Sequence, residues 1–263
     1  VLRGSQTMSI ARDIEQLRTW IRECKKGGMV FFGGAGVSTE SGIPDFRSSD
    51  GLFMQDYQIP PEQVVSHSFF MQYPEQFFDF YFNHMIFPEV KPNQAHRKLA
   101  ELEQEGILSS VITQNVDGLH QKAGSNKVLE LHGSSLENYC VKCKKRFSLE
   151  EFMALRQRVL LDEMKGENCL GVPRCPECGG IVRPDVVLYE EGLNQQVLQA
   201  AIKEISRADL MVVAGTSLVV YPAAGLLEFF SGSHLVIVNL QPTSSDRQAD
   251  LCIPARVGEV FDF

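Results

Sequence analysis

Four of the seven cysteines stand in two C-x-x-C pairs, Cys140 with Cys143 and Cys175 with Cys178. Each pair sets two thiolates one tight turn apart. Four thiolates at about 2.3 Å from a common centre satisfy tetrahedral zinc and leave no position open for a reacting ligand, so the expected site is closed and structural. The stretch between the pairs, residues 144–174, exceeds the roughly 15–20 residues of common four-cysteine sites and points to an insertion within the module. Cys169 falls inside that insertion as a spare cysteine, and Cys24 and Cys252 are expected to be ordinary buried thiols. An odd cysteine count with paired ligands fits a reducing, cytoplasmic setting better than a disulfide framework.

A second set of reactive residue types sits where short apolar runs stop. Met29 to Phe32 runs into Gly33-Gly34-Ala35-Gly36 in the manner of a phosphate-binding turn. The dinucleotide fingerprint G-x-G-x-x-G/A, counted from Gly34, needs Gly or Ala at position 39, where this chain has Thr39, and no P-loop lysine follows. The turn thus predicts a nucleotide but not a dehydrogenase. Ser110 to Ile112 runs into TQNVDGLH, Val128 to Leu131 into His132-Gly133-Ser134, and Leu210 to Ala214 into Gly215-Thr216-Ser217. His120 and His132 both stand at such ends, and histidine is the side chain best placed to act as a base near neutral pH. The residue pattern does not choose between them. Asn115 and Asp117 read either as an Asx turn before Gly118 or as polar contacts to a ribose or carboxamide. Gly215-Thr216-Ser217 reads also as a helix cap, and Pro44-Asp45-Phe46-Arg47 as a rigid turn.

The elements that must position these groups follow from the apolar pattern. The runs named above, with Leu235 to Leu240 and Leu251 to Ile253, mostly lack in-out alternation, as strands covered on both faces do. Helical spacing marks Ile10 to Ile21, Asn93 to Gln104 and Asn194 to Ser206. The predicted fold is α/β, a doubly wound parallel sheet, and ligands in such sheets bind at the carboxyl ends of the strands. The polar clusters should therefore face one crevice. Residues 8–48, 93–136 and 181–263 make the Rossmann-like part, 49–92 an aromatic-rich helical insertion or lid, and 137–180 the cysteine module. The opening VLRGSQT, before Met8, is set aside from the fold.

Bulk composition narrows the function. A chain of 263 residues, 44% hydrophobic, can bury a full core. Its net charge of -8 repels a phosphate backbone, so no direct nucleic-acid partner is expected. No apolar run approaches the roughly 18 residues of a membrane span, and no membrane association is expected.

Taken in order, GAGVSTESGIPDFR, TQNVDGLH, LELHGS, the two cysteine pairs, RPDVVLYEE and AGTSLVVYPAAG resemble the sirtuins, NAD-dependent protein lysine deacylases, across residues 10–260. The resemblance implies a reaction in which the acyl-lysine carbonyl oxygen attacks the nicotinamide ribose, nicotinamide leaves, and O-acyl-ADP-ribose and free lysine are the products. It implies that His132 is the general base, with Asn115 ordering the ribose and a water. It places Gly34, Ala35 and Gly36 at the pyrophosphate and makes Ser38 to Arg47 a loop over the nicotinamide, including Thr39, Asp45, Phe46 and Arg47. Gln114, Val116 and Asp117 would lie at the nicotinamide end; Gly215, Thr216, Ser217 and Asn239 would hold phosphates and the adenosine ribose, with Arg256 and Val257 near the adenine. Val186, Val187 and Tyr189 would line the acyl-lysine tunnel. The segments Glu190, Gly192 to Leu193 and Val219, Val220 to Tyr221 would flank the substrate as added strands. Acidic Glu190 and Glu191 would then favour basic peptides. Tyr189-Glu190-Glu191 departs from the Phe-Gly-Glu of many relatives.

Sirtuins selective for succinyl or malonyl groups carry Tyr and Arg where this chain has Leu52 and Met54. An apolar pocket gives a buried carboxylate no partner, so acetyl is the expected acyl group, with longer aliphatic chains open through Phe53 and Met54. The alternatives are a long-chain deacylase and an NAD-dependent protein ADP-ribosyltransferase; the presence of a base at His132 speaks against the second.

Overall fold

The computed structural model describes residues 2–45, 59–163 and 171–263, with the backbone alone at 2–6 and 162–163. Helix α1, Leu2–Glu23, leads into strand β1, Met29–Gly33. Residues 2–7, set aside in the sequence, are helical backbone at the start of α1. Three helices follow, α2 Pro61–Val64, α3 His67–Gln72 and α4 Pro74–His84, and then α5 Gln94–Gln104 and β2 Leu108–Thr113. Next come α6 Leu119–Lys122, β3 Val128–Glu130, β4 Gly133–Cys140, β5 Arg146–Ser148 and α7 Leu149–Glu163. The chain ends with β6 Val182–Val186, α8 Gln195–Arg207, β7 Leu210–Ala214, β8 His234–Val238, β9 Leu251–Ile253 and α9 Val257–Val260.

All six strands expected of the parallel sheet are present, in the order β3-β2-β1-β7-β8-β9, and every pairing is parallel. Their uninterrupted apolar character has the expected cause. Met29 and Phe31 of β1, Leu210 and Val212 of β7, and Val236 and Val238 of β8 pack with Ile14, Leu17 and Ile21 of α1 on one face. Val30, Phe32, Met211, Val213 and Ile237 pack with Ala201 and Ile205 of α8 on the other. The chain moves outward from β1 through β2 to β3, then returns to the opposite flank of β1 as β7. The strand order therefore reverses between β1 and β7, which is where a doubly wound sheet opens a crevice beyond its carboxyl edge.

A second sheet, β5-β4-β6, is antiparallel and draws strands from both sides of the 137–180 segment. Gly133 opens β4 at φ +77°, and a Cβ there would sit 2.0 Å from the Asp185 carbonyl oxygen, so only glycine permits the β4–β6 approach. The aromatic insertion packs on this sheet: Phe70, Phe77, Phe78 and Tyr81 share one cluster with Phe147, Phe152, Cys140, Cys175 and Val182. The described part of the insertion and the cysteine module, separate in sequence, thus have a common core.

Candidate active site

The glycine turn after β1 and the Gly215 turn after β7 touch at the reversal point. Gly34 N–H donates to the Ala214 carbonyl at 3.1 Å and Gly36 N–H to the Gly215 carbonyl at 2.8 Å. A Cβ on Gly36 would meet Gly215 Cα at 2.6 Å, and one on Gly34 would meet Thr216 Cβ at 2.7 Å. Gly215 itself lies at φ +61°. These glycines are needed for turn-to-turn packing, and they leave a small-residue shelf at the strand ends suited to a pyrophosphate. From β2, Gln114 reaches across the same gap, its Nε2 donating to Thr216 Oγ1 at 3.0 Å. Thr39 is exposed, and its hydroxyl donates back to the Gly36 carbonyl at 3.1 Å, closing the turn that the dehydrogenase fingerprint lacks.

His132 follows β3, half-buried. Its Nδ1 lies 3.0 Å from the carbonyl oxygen of Gln114, an acceptor only, so Nδ1 carries the proton and Nε2 the lone pair when the ring is neutral. Burial pushes its pKa below the ordinary value, against the hydrogen bond to Gln114, so the ring is neutral at pH 7. His120, the other histidine of the pattern, is 1% exposed in the core, with neither nitrogen hydrogen-bonded among the described residues. It faces the rings of Phe31 and His96, not the crevice.

Asn115 Nδ2 donates to the Gly34 carbonyl at 2.9 Å and to Ser38 Oγ at 3.3 Å. Ser38 in turn donates to Asp117 Oδ2 at 2.7 Å, and Asp117 Oδ1 accepts from Leu119 N–H at 2.9 Å. Burial raises the Asp117 pKa, although both hydrogen bonds oppose it. The Val116 carbonyl accepts from the backbone and hydroxyl of Ser135, locking this turn to β4. The sequence reading put Ser38 at the start of the loop over the nicotinamide but gave it no partner; the structure joins it to Asn115 and Asp117. It passed over Glu130, whose carboxyl is pushed up to about 7 by burial, against a hydrogen bond from Gln121 and with the Asp117 charge adding to the rise.

The expected tunnel segment is tied to the base by one bond, Val187 N–H to the His132 carbonyl at 2.8 Å. Val186 is buried, Val187 and Leu193 are half-buried, and Tyr189 and Gly192 are exposed. Tyr189 pairs through its backbone with Val65 and His67 of the insertion. Glu190 occupies the left-handed region at φ +77°, which glycine adopts without strain. Strain of about 1 kcal/mol is offset by bonds from Ser68 N–H at 2.9 Å and from the Ser68 hydroxyl. Glu191 accepts two bonds from Arg183, at 2.6 and 3.1 Å, and pairs with His67. Both carboxylates are thus engaged within the chain, Glu190 by Ser68 and Glu191 by Arg183 and His67. Val219 is exposed and Val220 half-buried on the loop after β7. Ser217 is exposed; Asn239 donates to the Gln241 carbonyl at 2.8 Å. Arg256 is exposed, while Val257 is 3% exposed and packs in the core. Asp45 ends the described part of its loop; Phe46, Arg47, Leu52, Phe53, Met54 and Cys169 lie outside the described residues.

The Sγ atoms of Cys140, Cys143, Cys175 and Cys178 all lie within 4.8 Å of one another. Two of the separations are 3.4 and 3.7 Å, near the roughly 3.8 Å edge of a tetrahedron with 2.3 Å zinc–sulfur bonds. The donor set fits zinc and is filled by protein alone. Cys24 is half-buried and Cys252 exposed, so neither is the buried thiol expected.

The family model described as "Sir2 family" matches residues 34–222. The chain belongs to the Sir2 family. A NAD-dependent protein deacetylase of Clostridium perfringens is 55% identical over 89% of this sirtuin and 91% of its own length. One of Clostridium acetobutylicum is 48% identical over 97% and 99%. A solved Sir2 histidine-to-alanine variant with deacetylated p53 peptide and 3′-O-acetyl ADP-ribose superposes with a TM-score of 0.81 at 40% identity, covering 94% of this sirtuin and 95% of that chain.

Proposed function

We propose that this sirtuin is an NAD-dependent protein lysine deacetylase, releasing nicotinamide and transferring the acetyl group to ADP-ribose. The observation that carries the reading is the convergence of His132, Asn115, Asp117 and the paired glycine turns at the strand-order reversal. NAD, when bound, supplies the ribose that receives the acetyl group and the nicotinamide that leaves. His132 holds its lone pair on Nε2 and takes a proton from a ribose hydroxyl, its ring kept in that tautomer by Gln114. Asn115 orients the ribose, Asp117 accepts from the carboxamide, and Gly34, Gly36 and Thr216 bring backbone close to the phosphates. Val187 and Tyr189 flank the acyl-lysine, with the backbone of 190–193 and 219–221 pairing to the peptide. Cys140, Cys143, Cys175 and Cys178 hold structural zinc. The cytoplasmic assignment rests on this reduced thiolate set; no helix among the described residues is long and apolar enough to cross a membrane.

Mass spectrometry of the products from NAD and an acetyl-lysine peptide tests the reading, with His132→Ala beside the wild type. Equal amounts of nicotinamide, deacetylated peptide and O-acetyl-ADP-ribose, lost in the variant, are expected. Nicotinamide without deacetylated peptide would point to ADP-ribosyl transfer or NAD hydrolysis instead.

A further inference from the structure

His96 has no part in the reaction as described, yet it is wholly buried one turn into α5 and touches the site. Its Nδ1 accepts the backbone N–H of Asn93 at 3.1 Å, which requires a lone pair there. Burial lowers its pKa to about 4, so the ring is neutral and its single proton sits on Nε2. That nitrogen lies 3.4 Å from Ser38 Oγ. The His120 ring beside it, centroid 4.8 Å away, is also buried and neutral, so no charge competes for the proton.

A serine hydroxyl has one hydrogen to give and two lone pairs to offer. Ser38 uses all three, accepting from His96 and Asn115 and donating to Asp117. Every direction in the chain is therefore fixed by the backbone donor at Asn93. Because Nδ2 of Asn115 is also committed to the Gly34 carbonyl, its amide oxygen is the atom left for a ligand. Asp117 is likewise held as an acceptor. The same cap joins α5 to the glycine turn, since Asn93 Nδ2 donates to the Val37 carbonyl at 2.7 Å.

We infer that His96 is a positioning residue for cofactor selection: as a tautomer-locked donor it orients Ser38 so that Asn115 and Asp117 both present acceptors, and the subsite selects a nicotinamide end that donates. This rests on the proposed roles of Asn115 at the nicotinamide ribose and of Asp117 at the carboxamide, the second of which the pyridine substituent probes. It implies discrimination against dinucleotides whose pyridine substituent has no N–H, such as the 3-acetylpyridine analogue.

Two conservative substitutions separate this role from helix capping. His96→Asn keeps an acceptor near Asn93 and does not reach Ser38; His96→Gln places an amide N–H near the position of Nε2. The readouts are KM for NAD, inhibition by nicotinamide, kcat, and the ratio of kcat/KM for NAD over the 3-acetylpyridine analogue. His96→Asn is expected to weaken NAD and nicotinamide about tenfold and to lower the ratio by a similar factor, with kcat changed less. His96→Gln is expected to stay near wild type. Ser38→Ala should reproduce the Asn variant, and adding His96→Asn to it should cost nothing further. The reverse order, Asn retained and Gln impaired, or an undiminished His96→Asn effect in the Ser38→Ala background, would overturn the proposal. Unchanged constants in an active enzyme would overturn it too, whereas a wild type that consumes no NAD would instead defeat the functional reading.

Discussion

The imidazole Nδ1 of His132 sits 3.0 Å from the Gln114 carbonyl oxygen, so a residue at the end of β2 decides which nitrogen at the end of β3 can accept a proton. His132→Ala should lower kcat by about a hundredfold to ten-thousandfold with little change in melting temperature, because the ring is only half-buried. Since burial depresses its pKa, the rate should hold at pH 7 and fall only below about 6.5, the ordinary histidine value. Steady-state rates from pH 5 to 8 check this; a fall beginning above pH 7 would contradict a depressed value.

Zinc removal should act on the aromatic cluster. Cys140 and Cys175 are 0% and 2% exposed and pack among Phe70, Phe77 and Phe152, so a chelator strong enough to strip the metal should abolish near-ultraviolet circular dichroism from that cluster. Activity should go with it, because β4 and β6 carry the segments that follow His132 and precede Val187. Activity surviving full metal loss would show the module to be dispensable.

Arg183 is the cation buried beneath the tunnel segment, its side chain 7% exposed and bonded to Glu191 and the Val186 carbonyl. Arg183→Ala leaves Glu191 without its main partner and removes a cation stacked 5.2 Å from the Phe70 ring. A loss of about 3 kcal/mol in urea unfolding is expected, together with a raised KM for peptide. Glu190→Gly should be mild by comparison, since glycine accepts φ +77° without strain.

Acid should unfold the protein partly through two histidines. Burial drives His96 to about 4 and His120 to about 3, both below the roughly 6.5 of an unfolded chain. Their stabilising contribution is complete above pH 6.5 and is lost as pH falls toward 3, on the order of 1 kcal/mol per pH unit for each. Urea midpoints at pH 7.5, 5.5 and 4.5 measure the slope. His120→Phe should flatten it, since its nitrogens make no hydrogen bond among the described residues; an equally steep slope in that variant would contradict neutral burial.

The parallel sheet could be read from sequence because strands covered on both faces lose their alternation, and β1, β2, β3, β7, β8 and β9 lie where the apolar runs lie. The cysteine site was readable because ligand type and spacing carry the geometry. Ser38 and His96 were not, since their roles arise from contacts 58 and 79 residues apart in the chain, and a serine in a glycine turn looks the same with one partner or three. The partners of Glu190 and Glu191 were hidden for a related reason: a free acidic pair and one bonded to Ser68 and Arg183 have identical sequence. The joint core of the insertion and the cysteine module likewise depends on tertiary packing that aromatic content alone does not encode.

The contact between Gly36 and Gly215 also limits how such a site can change. A methyl on either residue meets the other turn, 2.6 Å from Gly215 Cα in one case and 2.5 Å from the Val37 nitrogen in the other, so the two positions are not independent sites of variation. Replacing one cannot be compensated at the other, because both are already the smallest residue. Any redesign of cofactor preference in this scaffold must therefore leave the floor alone and alter the walls.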